Sequence, residues 1–327
     1  MKNRIYVSAL LFACALALPA QLLWKISGPG LAAPSYLLGT MHTAPDTFAL
    51  HIDGLQEALQ TVEAVCGEMD MREASTPEGR GKQQEALLLP DETTRPDWLD
   101  ADELHRLDSL LYRVLGTRLD NPMAAGLSRL RPAALTAQLT LIAYARSHPG
   151  FGSRVLLDAY IQQQAERAGK RIFGLETLDF QLALVYTDTP VERQVLDLMC
   201  FVDHYDFHEA QLAKISEAYL AQRLDRVERA ADERLRNACD TSDEEKERLV
   251  YARNRDWAAR MPAIMAGGAT LFAVGSLHLT GDEGLIALLR RAGYTVEAVG
   301  LPFAAARRTD CGVSFSTNAA LAKTYSD

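Results

Sequence analysis

Residues 270–299 constrain the fold of this chain most. An apolar run at 270–274 is followed by Thr280 and Glu283 at capping-box spacing, by Leu285, Leu288 and Leu289 as one helical stripe, by Gly293 as a stop, and by a second apolar alternation at 295–299. Strand, helix and strand in that order make a β-α-β unit, and strands separated by helices belong to an α/β sheet. The same alternation runs upstream. Residues 22–26 and 35–38 are apolar runs parted by Gly28-Pro29-Gly30, which predicts an opening hairpin. Asp53 and Gln56 have capping-box spacing ahead of the helical stripe Leu55, Ala58, Leu59 and Val62, and residues 64–66 and 171–175 read as two further strands.

Between those strands the pattern is helical. Leu104, Leu107, Leu111 and Val114 share one face, Arg131-Pro132 opens a helix reaching 146, and residues 190–265 are charged on one side and rich in Leu, Val and Ala on the other. The expected fold class is therefore α/β, a mixed central sheet with flanking helices and a large helical insertion. The expected division is a signal peptide at 1–20, an α/β domain at 21–305 with helical insertions at about 90–169 and 190–265, and a C-terminal tail at 306–327.

At 327 residues, 48% hydrophobic and 24% charged, the chain can bury a sizeable core. A net charge of -9 repels a phosphate backbone, and no basic run interleaved with aromatics occurs, so nucleic acid is excluded as a partner. Lys2 and Arg4, an apolar stretch at 5–18 and small residues at Ala17 and Ala20 form a secretory signal, too short to span a bilayer. A periplasmic or secreted protein is expected, with a lipid anchor at Cys14 as the minority reading. Cys66, Cys200, Cys239 and Cys311 remain after the signal and are open to disulfide pairing in an oxidising compartment. Sequence does not choose among the pairings, and Cys66 in an apolar strand also reads as a buried thiol.

Two apolar strands end in Gly-x-x-His. The first is Leu38-Gly39-Thr40-Met41-His42 and the second Val274-Gly275-Ser276-Leu277-His278. With 21 glycines and 7 histidines in the chain, two such spacings exceed chance only modestly, and it is their position that gives them weight. Both histidines follow the carboxyl end of a strand, where open α/β sheets bind ligands. Two more strand ends carry carboxylates, Glu68 after Gly67 and Glu176 two residues after Gly174. Such a set supplies a general acid and base or ligands for a divalent ion. The expected catalytic set is His42, Glu68, Glu176 and His278, with His42, Glu68 and His278 as metal ligands. The Thr280 cap would add unpaired N–H groups beside His278, suited to an oxyanion. His204 and His208, four apart, lack the glutamate of His-Glu-x-x-His and read as a packed or solvated face. A serine-esterase elbow and a phosphate-cradling loop are absent.

The order Leu38-Gly39-Thr40-Met41-His42, Glu68-Met69-Asp70, Gly174-Leu175-Glu176-Thr177, Arg253-Asn254 with Trp257, and Val274 to Leu279 resembles the successive signatures of the TraB/GumN family, in the Tiki-like metallopeptidase superfamily. The resemblance implies a Mn or Co type metallopeptidase centred on His42, Glu68 and His278, with Arg253 and Asn254 binding an oxyanion or substrate carboxylate, and a peptide or protein as substrate. It leaves two other readings open, a binding module for haem or another ligand and an accessory of polysaccharide export.

Overall fold

The computed structural model describes residues 21–89, 98–148, 151–152 and 155–300. The expected signal, its cysteine, Cys311 and the C-terminal tail lie outside the described residues. One six-stranded sheet organises the rest, in the order β4-β3-β5-β2-β1-β6. The strands are β1 Leu23–Ser27, β2 Ser35–Thr40, β3 Ala64–Gly67, β4 Arg171–Gly174, β5 Thr270–Gly275 and β6 Thr295–Ala298. Parallel pairing joins β4, β3, β5 and β2, while β1 runs antiparallel to both β2 and β6. The hairpin is thus what makes the sheet mixed, as its Gly28-Pro29-Gly30 turn predicts.

Helices connect and cover these strands. They are α1 Leu55–Thr61, α2 Met71–Ser75, α3 Pro77–Leu87, α4 Ala101–Leu115, α5 Ala125–Ser128, α6 Pro132–Ser147, α7 Leu157–Arg167, α8 Leu178–Leu182, α9 Val191–Asp203, α10 Tyr205–Leu220, α11 Leu224–Ala231, α12 Asp243–Lys246, α13 Ala252–Ala266 and α14 Leu285–Arg291. Local chemistry sets several of their ends. Asp100 and Glu103 form a reciprocal capping box at the start of α4, Gly116 closes α4 in the left-handed region, and Pro132 opens α6 where its missing N–H costs nothing.

Two apolar clusters hold the elements. The larger surrounds the sheet and contains Trp24, Leu37, Val65, Phe272, Tyr219, Trp257 and Leu285. The smaller joins the two helical segments outside the sheet, where Leu107 and Leu111 of α4 meet Leu135 and Leu139 of α6 and Leu198 and Val202 of α9. These helices, the insertion, therefore carry apolar contacts of their own. A Cys200–Cys239 disulfide ties the end of α9 to the segment after α11, and Cys66 is a buried free thiol whose pKa burial pushes up to about 12. Among the described residues no helix is long and apolar enough to cross a membrane.

Two expected caps do not form. Gly54, in the left-handed region, precedes α1 without any side-chain cap, so Asp53 and Gln56 make no box. Thr280 does not cap α14, which begins after Gly284; the backbone passes so close to Thr280 that a Cβ at Gly284 would lie 2.2 Å from its carbonyl oxygen. His278 instead sits in a 3-10 turn at Ser276–Leu279. Glu283 turns outward to Arg255 and Arg291. The dipole expected beside His278 is therefore not provided by α14.

Candidate functional site

Strand order brings the four expected residues together. Glu176, Glu68, His278 and His42 follow β4, β3, β5 and β2, four parallel neighbours, so all four leave the sheet at one edge. Glycines make the exits tight. A Cβ at Gly174 would lie 2.5 Å from the Glu176 carbonyl and 2.7 Å from Met69 Cα, and one at Gly67 would meet Gln162 Nε2 at 2.5 Å. The backbone can fold Glu68 and Glu176 over their own strand ends because neither position carries a side chain.

Arg253 of α13 is the hub. Its Nε donates to Glu176 Oε1 at 2.8 Å, and Nη2 donates to Glu176 Oε2 at 2.9 Å and to Glu68 Oε2 at 2.7 Å. Nη1 donates to the Leu249 carbonyl at 2.8 Å and to His278 Nε2 at 3.2 Å. That engages all five guanidinium N–H groups. Glu176 is also bonded by Trp257 Nε1 at 3.0 Å, and Gln181 donates to both Glu176 and Glu68. Leu249 belongs to a π-helical turn, Glu247–Tyr251, that aims its carbonyl at Arg253; such turns recur at functional sites.

Hydrogen bonding fixes the histidine tautomers. Asn254 Nδ2 donates to the carbonyls of His278 and Glu283, at 3.3 and 2.8 Å, so Asn254 Oδ1 must be the acceptor facing His278 Nδ1 at 2.6 Å. The proton is on Nδ1, and Nε2 presents its lone pair to the cluster. His42 is held alike, with Nδ1 3.2 Å from Asp158 Oδ2 on α7. Asp158 and Gln181 give no signal in the sequence, since each is one polar residue in a helical segment. Gln162, four residues after Asp158 on the same helix face, clamps the loop after β3 through Met69 O and Met71 N.

The charges follow from these contacts. Burial, with Arg253 alongside, lowers the His278 pKa to about 4, so the ring is neutral at pH 7. Burial would raise the Glu68 carboxyl, but His278, His42, Arg253 and the Gly275 N–H, 2.7 Å away, outweigh it and hold the group ionised well below the usual range. The hydrogen bond from Asp158 raises His42. Its side chain is 73% exposed, so solvent screens that pair and the direction alone carries weight. His278 Nε2 lies 3.8 Å from Glu68 Oε1.

His42, Glu68 and Asp158 line a cavity of about 170 Å3, which Glu176, Arg253 and Asn254 do not border. Arg253 and Asn254 spend their hydrogen bonds within the centre. The donor chemistry of His42, Glu68 and His278 suits a divalent ion, two imidazoles with oriented Nε2 atoms and a carboxylate. Among the described residues, however, no three His, Cys, Asp or Glu side chains are gathered tightly enough to hold one, and the Arg253 guanidinium rests on both His278 and Glu68. His204 and His208 sit apart from this centre, His208 stacked on Phe201 and His204 beside Asn237.

The sequence profile described as the TraB/PrgY/gumN family matches residues 22–298. The zebrafish (Danio rerio) protein "Metalloprotease TIKI2" is 24% identical over 334 residues, an alignment covering 84% of this chain and 60% of the relative. The chain thus spans less than two thirds of that protein's length. No solved structure matches.

Proposed function

The chain belongs to the TraB/PrgY/gumN family, and on that premise we propose that it is an exported metal-dependent hydrolase acting on peptides. One observation carries the reading: two histidines from different strand ends each have Nδ1 engaged by an oxygen acceptor, and the buried Glu68 lies in the electrostatic reach of both. Fixed tautomers of this kind serve ligands or proton carriers rather than surface residues. His42, Glu68 and His278 would hold the ion, of Mn or Co type, which when bound supplies a Lewis acid and a water of lowered pKa. Asp158 and Asn254 orient the two rings. With the ion bound, Glu68, which borders the cavity as Glu176 does not, would be the carboxylate placed to take a proton from water; Glu176, held by Arg253, Trp257 and Gln181, anchors Arg253. Arg253 helps hold Glu68 ionised and bonds both carboxylates. The relative's printed name, a metalloprotease, supports a protein or peptide substrate. The Cys200–Cys239 disulfide supports export, since cytosolic thiols are kept reduced.

The test is cleavage of a peptide pool by the full chain, stripped with chelator and reloaded with Mn2+ or Co2+. Metal-restored cleavage that is lost in Glu68→Gln and in His278→Ala is expected. Absence of any metal-dependent cleavage, with a Soret band on haem addition, would move the protein to the binding reading.

A further inference from the structure

The cavity beside His42 and Glu68 has a chemistry of its own. Its remaining walls are Gly67, Met69, Met71, Leu156 and Ala273 and the polar Gln162 and Gln181. Those polar groups are already committed. Gln162 uses its amide nitrogen on Met69 O and its oxygen on Met71 N, Gln181 donates to Glu68 and Glu176, Asp158 pairs with His42, and Glu68 pairs with Arg253. A charged side chain entering would lose water and find each charge already matched by another. An apolar one would cover Met69, Met71 and Leu156, and methionines adapt their shape to such a guest.

Volume limits the guest to a single side chain. A dry apolar cavity of ~150 Å3 is large enough for a benzene ring, so about 170 Å3 takes one Leu, Met or Phe side chain. Resting on the peptidase reading above, we infer that this cavity is a specificity subsite, taking one apolar side chain, Leu, Met or Phe, from the residue that flanks the scissile bond. Glu68 and His42 on its rim place that bond next to the centre. Met71 and Leu156 are the specificity-determining residues.

The experiment uses the full chain with Mn2+ and blocked Gly/Ala hexapeptides carrying one Leu, Met, Phe, Lys or Glu, with cleavage positions mapped by mass spectrometry. Cleavage beside Leu, Met or Phe at least about tenfold faster in kcat/KM than beside Lys or Glu is expected, the discrimination a pocket of this kind supplies. Leu156→Asp should shift preference toward Lys, and if that variant fails to fold, Met71→Glu places the same charge on the wall. Equal cleavage of Leu and Lys peptides, or a preference for Lys in the unaltered chain, overturns the subsite while leaving a hydrolase. If nothing is cleaved, calorimetric binding of the same peptides to the unaltered chain decides: selective Leu, Met and Phe binding keeps the subsite and ends the hydrolase reading, and no selectivity ends both.

Discussion

Arg253 answers two carboxylates and an imidazole with one planar cation, and that places much of the centre's stability on a single residue. Removing it leaves Glu68 and Glu176 without the cation they share and, at 13% and 7% side-chain exposure, nearly without water. Arg253→Met should destabilise the metal-free protein by about 3–5 kcal/mol in denaturant unfolding, as breaking a buried pair does. Arg253→Lys should recover little, because an ammonium cannot reproduce the two-pronged bond to Glu176. A loss under about 1 kcal/mol would show that the cluster is not held by its charge. His278 predicts the pH behaviour. Its folded pKa, about 4, lies below the 6.5 of an unperturbed ring, so the unfolded chain takes up the proton first. The stability this residue contributes is complete above pH 6.5 and is lost as pH falls toward 4, by about 3 kcal/mol at most. Glu68, also held low, adds a further loss at lower pH. His42, raised, acts in the opposite sense: its contribution is present below pH 6.5 and is lost as pH rises through its elevated pKa, weakened by solvent. His278→Asn should flatten the limb between pH 6.5 and 4 in metal-free unfolding curves; an unchanged slope would mean the ring is not buried neutral.

Among the elements, the ends of β3 and β4 decide where the carboxylates stand. Gly174→Ala would push a Cβ against three backbone atoms, Glu176 O, Met69 Cα and Asp70 N, all within 2.8 Å. Backbone cannot yield as a side chain can. The expected cost is about 1–3 kcal/mol, read as a lowered Tm, together with weaker metal-dependent cleavage because Glu176 would no longer meet Arg253 squarely. Gly116→Ala in the insertion, with open space around its Cβ, would carry only the strain of a left-handed backbone and leave cleavage untouched. The contrast separates a glycine needed for close approach from one needed for a turn.

On the scale of the molecule, the two apolar clusters predict uneven stability. The disulfide lies at the insertion, not at the sheet, and closes a loop with 39 residues of sequence separation. Cys239→Ser should cost about 2–4 kcal/mol through the larger entropy of the unfolded chain. Hydrogen exchange should speed up mainly around residues 191–240, while β2 and β5 keep their protection. Equal acceleration in the sheet would show that the insertion and the sheet unfold as one.

Periodicity placed the strands, because alternation and bounding glycines are local properties. The expected runs 64–66 and 171–175 match β3 and β4 to within a residue, the β-α-β unit stands at β5, α14 and β6, and the helices of the insertion follow the leucine stripe and Arg131-Pro132. The sequence also marked His42, Glu68, Glu176 and His278 as strand-end residues. Their meeting at one edge depends on the order β4-β3-β5-β2, which is settled by long-range burial of faces that each strand shows without naming its neighbour. Asp158 and Gln181 were invisible, since a single polar side chain in a helix has no pattern until the fold aims it at a histidine or a carboxylate. The caps at Asp53 and Thr280 failed for a related reason: side-chain spacing offers a helix start, but the backbone path through Gly54 and Gly284 chooses another. The pairing of Cys200 with Cys239 and the turning inward of Arg253 likewise needed three dimensions, because both are contacts between segments that no local rule connects.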